Sequence, residues 1–197
     1  MELQNNRQKR KLSSELKTLI IYWSATGNTE KVANAIRRSL SREEVKPILK
    51  NITEAIDEEL YEYDLVFLGS PSHQWLPAEP VQHFIREKLN HHGELGHIRP
   101  CAPKIPGKAA VVFCTYSGPH TGLNEVIPAG KYLGQFFEHL GFEVVGEWYI
   151  VGEFHGHQDL STEGKLGDIR GRPNEQDLSK VESDVCKLIK SLRAESG

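Results

Sequence analysis

Short apolar runs alternate with amphipathic segments along most of the chain. Continuous runs without a charged residue are typical of strands that are buried on both faces. Such runs predict three strands, at about 18–23, 65–68 and 109–114. Two weaker runs, at about 45–51 and 143–151, predict two more strands.

Apolar residues recur at helical spacing between and after these runs. The pattern predicts four helices, at about 28–40, 79–89, 128–140 and 178–192. A further helical turn is predicted at 53–61, with Thr53 as its cap. Residues 90–107 and 155–173 are rich in glycine and polar residues, and they predict long loops.

The alternation of strands and helices predicts one α/β domain. Five strands joined by helices favour a parallel sheet with helices on both faces, and right-handed crossovers make it doubly wound. Ligands of such sheets bind at the carboxyl ends of the strands. The loops at 24–29, 70–78 and 115–122 all follow predicted strands, so we expect them to lie together at that edge.

The first of these loops, SATGNT at 24–29, carries neutral donors and no lysine or arginine. It joins a strand to a helix N-terminus, where free backbone N–H groups and the helix dipole favour an anion. Four or five hydrogen bonds at about 1.5–3 kcal/mol each are enough to hold a phosphate monoester. The nucleotide-binding P-loop and the G-x-G-x-x-G pattern are both missing. An ordinary turn capped by Asn28 or Thr26 is the alternative.

Composition and charge narrow the class of protein. The chain has 197 residues, 38% hydrophobic, and no apolar run of the roughly 20 residues that a membrane span needs. Three widely spaced cysteines argue against a disulfide framework and favour a reducing cytoplasm. Residues 1–17 carry five basic residues, and we expect a mobile tail ahead of the domain at 18–197. The remainder has a net charge of −6, which gives no case for nucleic-acid binding.

The segment IIYWSATGNTEKVA, at 20–33, resembles the phosphate-binding signature of flavodoxins, a hydrophobic strand followed by [S/T]-x-T-G-N-T. The resemblance implies a three-layer flavodoxin-like fold with five parallel strands in the order 2-1-3-4-5. It also implies non-covalent FMN, with the FMN phosphate held by loop 24–29. The residues assigned to that role are Ser24, Ala25, Thr26, Gly27, Asn28 and Thr29.

Two further segments resemble the family's flavin-ring loops. YDLVFLGSPSHQWLPAEP, at 63–80, matches the loop along one side of the ring, and FCTYSGPHTGLNE, at 113–125, matches the loop at the ring edge. The implied ring contacts are Pro71, Ser72, His73, Gln74, Trp75, Thr115, Tyr116, Ser117, Gly118, His120 and Gly122.

The roles of three side chains in these loops have more than one interpretation. Trp75 either stacks on the flavin or packs over the sheet edge, and His73 either contacts the flavin or lies on the surface. His120 resembles a histidine of related quinone reductases and is a candidate catalytic residue.

The histidines at 91–92 and 155–157 suggest a metal, but without helical His-x-x-x-His spacing or a nearby cysteine we expect none.

The resemblance implies an oxidoreductase that passes electrons or hydride through FMN, from NAD(P)H to a quinone or similar acceptor. A one-electron carrier serving a protein partner is one alternative, and a flavin-free interaction or phosphate-binding module is another. The long loops can cap the flavin or form a homo-oligomer interface. We expect a small-molecule or protein redox partner, and neither nucleic acid nor membrane insertion.

Overall fold

The structure of the chain is a computed structural model, and it describes residues 16–195. All but the last two residues of the predicted basic tail lie outside this range. The strands are β1 (Thr18–Tyr22), β2 (Ile48–Asn51), β3 (Leu65–His73), β4 (Leu76–Pro77), β5 (Ala109–Tyr116) and β6 (Glu143–Val151). The α-helices are α1 (Asn28–Arg42), α2 (Glu79–Glu94), α3 (Ile127–His139), α4 (Gln158–Thr162) and α5 (Glu175–Glu195).

The sheet confirms the predicted flavodoxin-like α/β architecture. Its strands lie in the order β2-β1-β3-β5-β6, all parallel, with helices on both faces. This is the predicted order when the parallel strands alone are counted. The sixth strand, β4, was not predicted, and it pairs antiparallel with the end of β3.

The strand β4 arises because β3 runs further than its apolar stretch. Pairing with β5 continues to Pro71, which lies opposite Thr115. The chain then reverses through a two-residue hairpin turn at Gln74 and Trp75, whose φ angles are 49° and 69°. Both angles are positive, as a type I′ turn requires. The segment predicted as a loop at 70–78 is therefore largely extended.

Three other local predictions were wrong at their boundaries. The helical turn predicted at 53–61 does not begin at Thr53, because Asn51 Oδ1 accepts from both the backbone N–H and the hydroxyl of Thr53 and makes a local turn instead. A short 3₁₀ turn follows at Leu60–Glu62. Helix α2 extends to Glu94, into the predicted loop 90–107, and α4 lies within the predicted loop 155–173.

The sheet divides the apolar core into two clusters. One contains Phe84 of α2 and Phe137 of α3, together with Leu68 of β3. The other contains Ile36 of α1 and Val185 of α5. All five side chains are buried, and burying one such side chain stabilises the fold by about 1.5–3 kcal/mol.

The three free cysteines form no disulfide. Among helices within residues 16–195, none combines the length and apolarity that a bilayer span requires.

Gly69 in β3 provides a test of this packing. A Cβ atom at Gly69 would lie 2.1 Å from Cζ of the buried Phe113, so we expect Gly69→Ala to lower the free energy of unfolding by about 1–3 kcal/mol. Gly93 in α2 is the matched control, because a Cβ atom there meets nothing within 4 Å. Gly93→Ala should leave stability unchanged or slightly raised. Urea unfolding measures both, and equal effects would contradict the packing argument.

Candidate functional site

A cavity of about 250 Å³ opens at the carboxyl edge of the parallel strands. The connections after β1 and β6 surround it together with the carboxyl ends of β3 and β5. Its lining consists of Ser24, Ala25, Thr26, Asn28, Thr29, Pro71, Ser72, His73, Thr115, Tyr116, Ser117, Glu153, Phe154 and His155. The expectation that three loops meet at this edge is confirmed, and a fourth loop joins them.

The connection after β1 presents backbone donors to the cavity. Gly27 adopts a φ angle of 93°, which brings the chain into α1 within a few residues. Its N–H donates to Ser24 Oγ at 3.1 Å. Within residues 16–195, the first N–H groups of α1, at Asn28, Thr29 and Glu30, have no acceptor. Neither Asn28 nor Thr26 caps the helix, so the alternative of an ordinary side-chain-capped turn is wrong.

Asn28 and Thr29 direct their side chains into the protein. Asn28 Nδ2 donates to the backbone O of Glu153 at 2.9 Å, and the Thr29 hydroxyl shares a buried hydrogen bond of 2.8 Å with that of Thr115. These bonds join the start of α1 to the ends of β6 and β5. Ser24, Ala25 and Thr26 line the cavity from the same loop, beside Asn28 and Thr29.

The segment after β6 lines the cavity, although its sequence carried no recognisable motif. His155 Nε2 lies 3.2 Å from Asn28 Oδ1. Since Nδ2 of Asn28 already faces the Glu153 carbonyl, Oδ1 must accept, and His155 Nε2 therefore carries the proton. The position of this segment, directly after a predicted parallel strand, was the available signal.

The lining contains no lysine or arginine, and Glu153 is its one carboxylate. That carboxylate accepts from the backbone N–H of Gly171 at 2.8 Å. Desolvation lowers the pKa of His73, whose ring packs edge-on against Trp23 with 5.7 Å between centroids. Desolvation also raises the pKa of Tyr116, and Arg172 opposes that rise. Both shifts favour the uncharged side chain at neutral pH.

Other predicted site residues lie outside the lining. Gln74 and Trp75 form the tip of the β3–β4 hairpin, where Trp75 is 61% exposed. His120 donates its backbone N–H to Glu125 Oε1. Gly118 and Gly122 close their own turn, because the N–H of Gly122 donates to the backbone O of Gly118 at 3.0 Å. Gly27 shapes the first connection without lining the cavity.

Comparison with known proteins places this architecture. The family model described as Flavodoxin matches residues 20–182. A flavodoxin of Aquifex aeolicus (strain VF5) is 34% identical over 182 residues, which are 91% of this chain and 85% of that protein.

Two solved structures share the fold at low sequence identity. Oxidised Flavodoxin 2 from Bacillus cereus superposes with a TM-score of 0.62 and 21% identity, covering 89% of this chain and 99% of that one. Rubredoxin oxygen:oxidoreductase from Desulfovibrio gigas gives a TM-score of 0.59 and 15% identity, covering 98% of this chain but 40% of that one. At these identities the structures support the fold alone.

The Thr29–Thr115 bond predicts non-additive substitutions. Thr29→Val leaves a buried Thr115 hydroxyl without its partner, and we expect a loss of about 1–3 kcal/mol in the free energy of unfolding. The double variant Thr29→Val, Thr115→Val leaves no orphaned hydroxyl and should lose clearly less than the sum of the single losses. Urea unfolding of the ligand-free protein measures this cycle. Additive losses would show that the hydroxyls do not interact.

Proposed function

The chain belongs to the flavodoxin family, whose members bind FMN non-covalently, and we propose that it carries electrons through FMN to a protein redox partner. The relative from Aquifex aeolicus, a flavodoxin that aligns along most of both chains, favours a carrier. The observation that carries the proposal is the cation-free set of donors at the start of α1, on the wall of the cavity.

These donors fit a phosphate monoester. The backbone N–H groups of residues 28–30 have no acceptor in the described part of the chain, and they point out of the positive end of a helix dipole. The hydroxyls of Ser24 and Thr26 lie beside them in the lining. Asn28 and Thr29 act differently from the sequence expectation: their side chains fix the loop, and their backbone N–H groups are the donors.

The remainder of the cavity suits a flat ring. Bound FMN would supply reversible acceptance and release of electrons. Tyr116, His73 and Phe154 supply aromatic surface, which packs well against a flat ring. Pro71 and Thr115, on paired strands, form its floor. With both His73 and Tyr116 neutral, these walls would add no charge beside the ring.

Substitution of Thr26 tests the proposed contact with the FMN phosphate separately from the rest of the site. Its side chain is exposed, and within residues 16–195 its hydroxyl makes no hydrogen bond, so Thr26→Ala changes little except the bond to a ligand. We expect FMN affinity to fall about 10-fold, since a hydrogen bond to a charged group is worth about 1.5 kcal/mol or more. Fluorescence titration of the flavin-free protein measures the affinity.

Riboflavin, which lacks the phosphate, is the matched ligand control, and its affinity should not change in Thr26→Ala. Ser41→Ala removes an exposed hydroxyl near the opposite end of α1 and should alter neither affinity. If Thr26→Ala weakened riboflavin as much as FMN, the phosphate would not be held by this loop. A purified protein that is colourless and ignores added FMN would support the flavin-free module instead.

Reduction kinetics separate the carrier from the reductase that the resemblance first suggested. We expect the FMN-loaded protein to be reduced by NADH or NADPH no faster than free FMN. Reduction should become fast when a flavodoxin reductase is added in catalytic amount. Rapid bleaching by either nicotinamide alone, with turnover in the presence of a quinone, would establish the NAD(P)H-dependent reductase in place of the carrier.

A further inference from the structure

A second cluster of polar side chains lies at the edge of the sheet opposite the cavity. Glu59 precedes β3, and His91 and His92 lie near the end of α2. One ligand atom from each of these residues lies within 4.8 Å of the other two. Within residues 16–195, this is the one group of three or more histidine, cysteine or acidic side chains with such spacing. We call it the Glu59 cluster.

His92 is the most informative member of the Glu59 cluster. Its side chain is 0% exposed, and its Nε2 atom has no hydrogen-bond partner in the described part of the chain. A buried polar atom without a partner costs about 1–3 kcal/mol, so such atoms are rare in native proteins. This one is aimed at Glu59, whose Oε1 is 3.8 Å away, too far for a hydrogen bond.

The second ring nitrogen of His92, Nδ1, has a hydrogen-bond partner, so the two possible tautomers of His92 can be compared. His92 Nδ1 lies 3.2 Å from Nδ1 of His97, so one of the two nitrogens donates to the other. If His92 Nδ1 accepted, the proton would sit on Nε2 and would be buried without an acceptor. If His92 Nδ1 instead donates to His97, the Nε2 lone pair is buried without a donor and faces the Glu59 carboxylate. Either tautomer therefore leaves Nε2 unpaired, and in the second one a cation between Nε2 and Glu59 would satisfy both groups.

Glu59 and His91 complete the set from the solvent side. Glu59 Oε2 lies 3.9 Å from His91 Nε2, while Oε1 also accepts from the backbone N–H of Tyr61 at 3.1 Å. Ligand atoms around a tetrahedral ion with bonds of 2.0–2.1 Å are about 3.3 Å apart. The shortest gaps, from His92 Nε2 to Oε1 and from His91 Nε2 to Oε2, need to close by about half an ångström. The widest gap among one ligand atom from each residue is at most 4.8 Å and needs to close by about 1.5 Å or less, which the exposed His91 side chain can supply.

We propose that the Glu59 cluster binds a divalent transition metal of the zinc class through His91 Nε2, His92 Nε2 and a Glu59 carboxylate oxygen. Two imidazoles and one carboxylate suit zinc and leave a fourth position for water. The nearby Lys88 ammonium, which donates to the backbone O of Glu58, opposes a second cation. The negative charge of Glu59 is therefore essential to the set.

The position of the cluster defines what the metal would do. Strand β3 runs from the connection that holds Glu59 to the cavity edge, and α2 runs back from that edge to His92. The metal would thus join the two ends of one strand–helix unit, far from the cavity. It stabilises the fold by binding the folded chain and not the unfolded one, and it takes no part in electron transfer.

Zinc binding to the FMN-loaded, full-length protein tests the proposal. After treatment with a chelator and its removal, we expect one Zn²⁺ per chain in calorimetric titration, and a rise in Tm of about 5 °C at saturation. His91→Ala and Glu59→Gln change exposed or partly exposed side chains and should each weaken Zn²⁺ at least 10-fold, with the Tm rise lost. FMN content and reduction kinetics should not change in either variant.

His83→Ala is the matched control, because it removes another exposed histidine from the same helix and should bind Zn²⁺ as the parent does. Absence of Zn²⁺ binding by the parent protein would overturn the proposal. So would binding that persists unweakened in His91→Ala or Glu59→Gln. Because the variants are compared with FMN bound, failure here is distinct from failure of the proposed electron-carrier function.

Discussion

Parallel pairing of β1, β3, β5 and β6 is the constraint on which the candidate site depends. Tyr22 lies opposite Gly69, and Tyr116 lies opposite Val151, so neighbouring strands end near the same edge. The ends of β3 and β5 and the connections after β1 and β6 therefore surround one cavity. Residues far apart in sequence become neighbours there because of backbone register.

Much of the fold could be predicted because local patterns and tertiary burial agree. The strands and long helices are continuous apolar runs or amphipathic periods, and each appears within a few residues of its predicted place. The failures occur where side-chain bonds or pairing override the pattern. Asn51 diverts the segment after β2, and the β4 pairing extends β3 through polar residues. Neither effect leaves a periodic pattern of apolar residues in the sequence.

The candidate site was predictable to the extent that a motif could carry it. SATGNT and the two later segments pointed to most of the lining, but a motif does not show which way a side chain turns. Asn28 and Thr29 face inward because Glu153 and Thr115 supply partners that the sequence does not place nearby. The sequence pointed to His91 and His92 without a third ligand, and metal binding was not expected there, since Glu59 and His92 meet only in the folded chain.

The division of the core by the sheet has an evolutionary consequence. Side chains on opposite faces are separated by the thickness of the sheet, at about the 7–10 Å beyond which substitutions act additively on stability. Substitutions that change the packing of α2 and α3 against the sheet can therefore be tolerated without compensating substitutions under α1 and α5. The face beneath α1, the helix that follows the loop at 24–29, can stay conservative while the other face diversifies, and sequence relatives should show unequal rates of change on their two faces.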